Sequence, residues 1–219
     1  MNIIFEGVNG SGKTTLIDAF RNNLDEKNLK YEYISDLVYE TPLTPVLEYM
    51  FNSGVFLNMK ENFKTSLFES LVLAANHHYI QEKLRNSDLI NIYDRDFISV
   101  LAYQKDIIKN EYSNWKNFYE SFRNIMLFEL KNVDLLTYIS IPTEENIRRT
   151  ENRDNRKFSQ QEIELLFKLK ENMEEEIKIF HELSGTEILY LDGREDPRIN
   201  VEKINSKVLT LGGKKQWMS

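Results

Sequence analysis

The chain is 219 residues long, 41% apolar and 29% charged, with four prolines, which is enough for one domain around a substantial core. Its formal net charge of −7 excludes a general nucleic-acid surface, which needs a basic face; any polyanionic ligand has to be held by a local positive pocket. The absence of cysteine excludes disulfides and thiolate metal sites, and no apolar run approaches the ~18 residues of a membrane span.

The first predicted strand, Asn2–Glu6, starts so near Met1 that no targeting peptide fits before it, and a cytoplasmic location is expected. The strand runs into Gly7-Val8-Asn9-Gly10-Ser11-Gly12-Lys13-Thr14, the phosphate-binding pattern GxxxxGK[ST], and then into a helix predicted over Thr14–Lys27. In that setting the glycines let backbone N–H groups curl around a polyphosphate, and the helix adds the positive end of its dipole. Gly7, Asn9, Gly10, Ser11, Gly12, Lys13, Thr14 and Thr15 are therefore expected to hold the phosphates of a nucleoside triphosphate. Lys13 would reach the β- and γ-phosphates, and the Thr14 hydroxyl would hold Mg²⁺.

A second strand is expected at Tyr31–Ser35 and a helix at Phe63–Arg85. Within that helix His77 and His78 are adjacent, so they point about 100° apart and do not form a ligand pair; one faces the core and one the solvent. The third strand, Leu89–Tyr93, ends in Asp94-Arg95. In open α/β sheets ligands bind beyond the carboxyl ends of strands, so Asp94 is placed to orient Mg²⁺ through its water shell and Arg95 to grip a phosphate. The competing reading is a helix cap beside a surface arginine.

Helices follow at Phe97–Lys109 and Trp115–Leu130, then a strand at Leu135–Ile141 and a helix at Glu144–Arg149. Arg148, Arg149, Arg153 and Arg156 crowd into nine positions of an otherwise acidic chain. Around 148–157 they suit a lid that closes over a transferring phosphoryl group and neutralises its charge. The plain alternative is a solvated helix end with Arg–Glu pairs. Ser159 and Glu162 form a capping box before a long helix, Gln161–Leu183; strand Glu187–Leu191 and helix Val201–Leu211 complete the pattern. Strands and helices alternate as in a single α/β domain, 1–211, with a parallel sheet covered on both faces. Residues 212–219 read as a loose tail.

Ile4-Phe5-Glu6-Gly7 through Thr15, together with Asp94-Arg95-Asp96-Phe97-Ile98-Ser99-Val100-Leu101-Ala102-Tyr103-Gln104, resembles the thymidylate kinase family. The second stretch is similar to that family's DR-x-x-x-S-x-x-A-Y-Q signature. Tyr138–Pro142 with Glu144–Arg156, and Glu187–Leu191 with Asp192-Gly193, resemble its fourth strand with the arginine-bearing lid and its fifth strand with the adenine-side loop. The resemblance implies a three-layer P-loop kinase fold with a five-stranded parallel sheet. It also implies an ATP–Mg²⁺ phosphoryl donor, a small nucleotide acceptor such as dTMP, and often a homodimer; neither a nucleic-acid polymer nor a membrane is an expected partner. Lys13, Arg95 and at least one of Arg149, Arg153 and Arg156 would be catalytic, the lid supplying the charge that some members carry where this chain has Gly10.

The acceptor side departs from the family pattern. Asn9 stands where an acidic residue is common, Asp36 lies near an expected arginine, Leu73 replaces a stacking Phe, and His77 replaces the arginine of an A-N-R segment. Asn9, Asp36, Leu73, His77 and Arg95 are the acceptor-side candidates. A monophosphate needs cationic donors and no base, whereas a nucleoside hydroxyl benefits from a carboxylate such as Asp36 or Glu40. Both acceptors stay open, as do a P-loop NTPase of another kind and an inactive nucleotide-binding module.

Overall fold

Five parallel strands form one sheet in the order β2-β3-β1-β4-β5, in a computed structural model that describes residues 1–35, 40–52, 63–84, 87–111, 113–127 and 133–211. The strands are β1 (Asn2–Glu6), β2 (Tyr31–Ile34), β3 (Ile90–Asp94), β4 (Leu135–Ser140) and β5 (Glu187–Asp192). The three central strands are almost wholly buried, as their continuous apolar runs require.

Helices α1 (Lys13–Glu26) and α8 (Pro197–Thr210) cover one face, where Leu16, Phe20, Val201 and Ile204 meet Ile3, Phe5 and Ile92. On the other face lie α3 (Phe63–Leu84), α4 (Phe97–Glu111), α5 (Trp115–Leu127) and α7 (Gln160–Ser184), packed through Ile80, Phe97, Tyr119, Met173 and Phe180. An ion network ties three of these helices together: buried Glu176 of α7 takes both arms of Arg123 from α5 (2.7 and 2.8 Å) and the ammonium of Lys105 from α4 (3.4 Å). Among the described residues no helix is long and apolar enough to cross a membrane.

The chain departs from the sequence expectations by one residue at the ends of β2, β3, β4 and β5, at several helix ends and at one whole element. Helix α2 (Thr44–Asn52) was not expected between the second strand and residue 63. Pro45 disguised it, yet a proline in the first turn costs no helical hydrogen bond, because the leading N–H groups have no partner there. Helix α6 (Thr143–Asp154) runs beyond the expected Arg149 and stops only at Asn155, whose φ of 50° turns the chain left-handed. The capping box forms as expected, Ser159 Oγ accepting from Glu162 N while the Glu162 carboxylate takes Ser159 N. Helix α8 begins four residues early, at Pro197, because Asp196 caps it.

Register fixes what lies together. Phe5 pairs with Asp94, Glu6 with Tyr138 and Ser140 with Asp192, so the ends of β1, β3, β4 and β5 open on one edge. β1 sits between β3 and β4, at the point where the strand order reverses, which is where open α/β sheets leave a crevice.

Candidate phosphoryl-transfer site

The glycine loop leaves β1 at that crevice. Gly10 (φ 79°) and Gly12 (φ 95°) both adopt the left-handed conformation that side chains resist. Space is as limiting as backbone angle. A β-carbon on Gly10 would stand 2.6 Å from Thr150 Oγ1 and 3.0 Å from Asn146 O, so α6 roofs the crest of the loop. Asn146 Nδ2 also donates to Asn9 O at 3.1 Å. On the far side, the turn after β5 presses in: a β-carbon on Gly193 would lie 1.8 Å from Ser11 O. Ser11 lies in the loop between β1 and α1, so its carbonyl gives way only by carrying the loop with it. Gly193→Ala is therefore expected to displace the loop by about an ångström and weaken ATP binding at least ~10-fold, as measured by calorimetry. Unchanged affinity would show that the two turns part freely.

Lys13, 7% exposed at the start of α1, pairs with Asp94 Oδ1 at the end of β3. Tyr33 of β2 donates to the other Asp94 oxygen at 2.8 Å, and the Arg21 guanidinium lies 4.7 Å from the centre of the Tyr33 ring. Thr14 and Thr15 stand exposed on the first turn of α1. Among the described residues no group of three His, Asp or Glu side chains is gathered to cage a metal.

Arg95 follows Asp94 with φ 68°, left-handed for a residue with a side chain, and its N–H donates to Phe5 O at 3.0 Å. Its Nη2 donates to Asn9 Oδ1 at 2.8 Å and its Nη1 to Ser99 Oγ at 3.1 Å. Both acceptors are neutral. Behind them Glu6 is completely buried and accepts from Asp96 N, Ser99 N and Ser99 Oγ. Burial pushes the Glu6 carboxyl up from 4.5 to about 7, against the opposing pull of the Ser99 hydroxyl, the Arg95 charge and the two backbone amides.

The other acceptor-side candidates are distributed unevenly. His77 is buried, with Nδ1 on Asp96 Oδ1, while His78 is exposed, the division expected for adjacent helical positions. Leu73 is buried. Next to His77, Asn76 Oδ1 accepts from Thr41 Oγ1 at 2.6 Å, which ties the segment before α2 to α3. Glu40 is exposed, and Asp36 lies outside the described residues.

The four arginines around α6 are separated by the helix. Arg149 Nε pairs with Glu145 at 2.8 Å, and its Nη1 donates to Gly193 O at 3.0 Å and lies close to Gly12. Arg148, Arg153 and Arg156 are exposed, paired with Glu145, Asp154 and Glu162. Arg148 and Arg149 together hold the Glu145 carboxyl down at about 2. Arg149 is thus the member of this group that meets the glycine loop. Glu6, Ser99, Asp96, Tyr33 and Asn146 were not singled out from sequence. Ser99 stood inside the quoted signature and Glu6 closed an otherwise apolar strand; Tyr33 and Asn146 carried no signal.

A parallel β2-β3-β1-β4-β5 sheet with a glycine loop at its switch point, and helices on both faces, defines a P-loop kinase fold. The family model for thymidylate kinase matches residues 5–204, and the chain belongs to that family. A curated relative described as a probable thymidylate kinase, from Methanobrevibacter smithii, is 28% identical over 105 residues, 48% of this chain and 52% of the relative. The chain therefore spans about half the length of that relative. Among solved structures, deoxyadenosine kinase from M. mycoides with bound dATP has a TM-score of 0.62 at 20% identity, covering 95% of this chain and 99% of that one. The same enzyme with dCMP and dCDP gives 0.64 at 18%, over 96% and 100%. At such identities the likeness is one of fold.

Proposed function

We propose that this chain transfers the γ-phosphoryl group of ATP to a (deoxy)nucleoside monophosphate, with dTMP the acceptor to test first. The observation that carries the reading is Arg95. It emerges from the strand beside the glycine loop, and among the described residues its guanidinium donates its hydrogen bonds to the neutral oxygens of Asn9 and Ser99. A guanidinium that makes no direct ion pair among the described residues, next to a triphosphate loop, suits an anionic acceptor whose phosphate oxygen attacks the γ-phosphorus.

Lys13 would leave Asp94 to meet the β- and γ-phosphates, and the Gly7–Thr14 amides would hold them. Arg149 is our choice among the lid arginines, since it alone of the four meets both Gly193 and the loop. Magnesium fits the donor set at Thr14 and Asp94, because it takes one or two protein oxygens and completes its shell with water and phosphate. When bound it would offset charge on the triphosphate.

A second reading, phosphorylation of a nucleoside hydroxyl with Asp36 or Glu40 as base, draws support from His77. Its Nδ1 is committed to Asp96, so it is a poor replacement for a phosphate-gripping arginine. An ADP-release assay over matched nucleosides and monophosphates separates the two. Selective turnover of monophosphates supports the first reading and selective turnover of nucleosides the second. Rapid ATP hydrolysis without any acceptor would overturn both.

A further inference from the structure

The phosphoryl-transfer scheme above makes no use of Glu6, yet the chain buries this carboxylate completely at the end of β1. One oxygen of Glu6 accepts from the backbone N–H groups of Asp96 (2.9 Å) and Ser99 (3.2 Å), and the other accepts from the Ser99 hydroxyl at 2.5 Å. Those amides bracket the first turn of α4, where N–H groups lack helical partners and the dipole favours an anion. A hydroxyl has one proton to give and lone pairs to receive with. Ser99 gives its proton to Glu6, so the lone pairs of that oxygen are turned to Arg95 Nη1, 3.1 Å away. The result is a directed chain from guanidinium to hydroxyl to buried carboxylate.

We infer that Glu6 and Ser99 are positioning residues, which aim the Arg95 guanidinium and so set the affinity for the acceptor. The inference rests on the reading of Arg95 as an acceptor ligand. An arginine side chain has many rotamers, and holding it beforehand removes an ordering cost from binding. A direct ion pair with Glu6 would also hold it, but would satisfy the guanidinium and compete with the substrate. The interposed hydroxyl keeps the carboxylate one step back. Asn9 does the same for the other arm with a neutral amide. The N–H donors of Arg95 that neither oxygen uses have no partner among the described residues and are left for an anion.

Full-length wild type, Ser99→Ala, Ser99→Thr and Glu6→Gln test this with two readouts. In ¹⁵N-resolved spectra, the Arg95 guanidinium is assigned by its loss in Arg95→Lys. Distinct, slowly rotating Nη signals are expected for wild type and Ser99→Thr, and averaged signals for Ser99→Ala and Glu6→Gln. In steady-state assays Ser99→Ala is expected to raise the acceptor KM ~10-fold while the KM for ATP moves less than about twofold. Ser99→Thr, which keeps the hydroxyl, should stay within about threefold of wild type. Unchanged Arg95 signals in both disrupting variants would overturn the inference, as would a parallel rise of both KM values, which marks a general loosening of the loop. If Ser99→Ala does not fold, the isosteric Glu6→Gln carries the same test. If wild type turns over no acceptor, the kinase reading fails, and the guanidinium spectra still decide the positioning role.

Discussion

Lys13→Ala is expected to lower turnover by more than ~100-fold and to leave the protein folded. The rate loss follows from the position of the ammonium. It sits at the mouth of the glycine loop on the first residue of α1, and it is held there by Asp94, which a polyphosphate would displace. Among the described residues no other lysine or arginine pairs with Asp94 or starts α1, and the guanidinium of Arg149, also at the loop, is already engaged by Glu145 and Gly193 O. The effect on stability is smaller. Removing one partner of an ion pair is severe when the other is left buried and bare. Asp94 instead keeps the Tyr33 hydroxyl and is partly open to water, which limits the cost to about 1–2 kcal/mol. For a chain of this size that is a fall of only a few degrees in Tm. Initial rates of ADP release beside a thermal melt check both halves. Wild-type turnover by a pure Lys13→Ala sample would remove the loop from the chemistry.

What could be read in advance, and what could not, divides along physical lines. The central strands are short, nearly continuous apolar runs, a pattern that buried parallel strands share with little else, and the glycine loop has a fixed spacing between strand and helix. Those features are local. The arginines around α6 could be counted but not ranked, because only the fold brings Gly193 from beyond β5 to meet Arg149 and leaves Arg153 and Arg156 on the surface. The role of Glu6 was invisible for the same reason: its partners, Asp96 and Ser99, are some 90 residues away in the chain.

Glu6 and Arg95 also break local rules, the one as a buried carboxylate and the other as a left-handed arginine, and such breaches gather at functional sites. The Glu6 breach has a sign. A carboxyl raised to about 7 in the fold gives its full share of stability below 4.5, its ordinary value, and that share is lost as pH rises through about 7. Near neutral pH the chain therefore carries a group that costs stability and holds the arginine turn together.

Arg95→Ala is the second large expectation, and its size reports on the acceptor. The guanidinium is held by two neutral oxygens, so its loss breaks no salt bridge and strands no buried charge in direct contact with it. The backbone stays left-handed with alanine as with arginine, so strain at φ 68° is not altered in kind. The fold should survive, and ATP affinity, set by the glycine loop, should change less than about twofold. What falls is kcat/KM for the acceptor. A charge-assisted, bidentate grip on a phosphate is worth roughly 3 kcal/mol or more, so a monophosphate acceptor predicts a loss of at least ~100-fold. A neutral nucleoside gains only an ordinary hydrogen bond of about 1 kcal/mol, and the loss would then be under ~10-fold. Arg95→Lys sharpens the distinction, because it restores charge but not the fork. Under the monophosphate reading it should recover a part of the loss that salt then erodes, whereas a neutral acceptor would show neither recovery nor salt dependence.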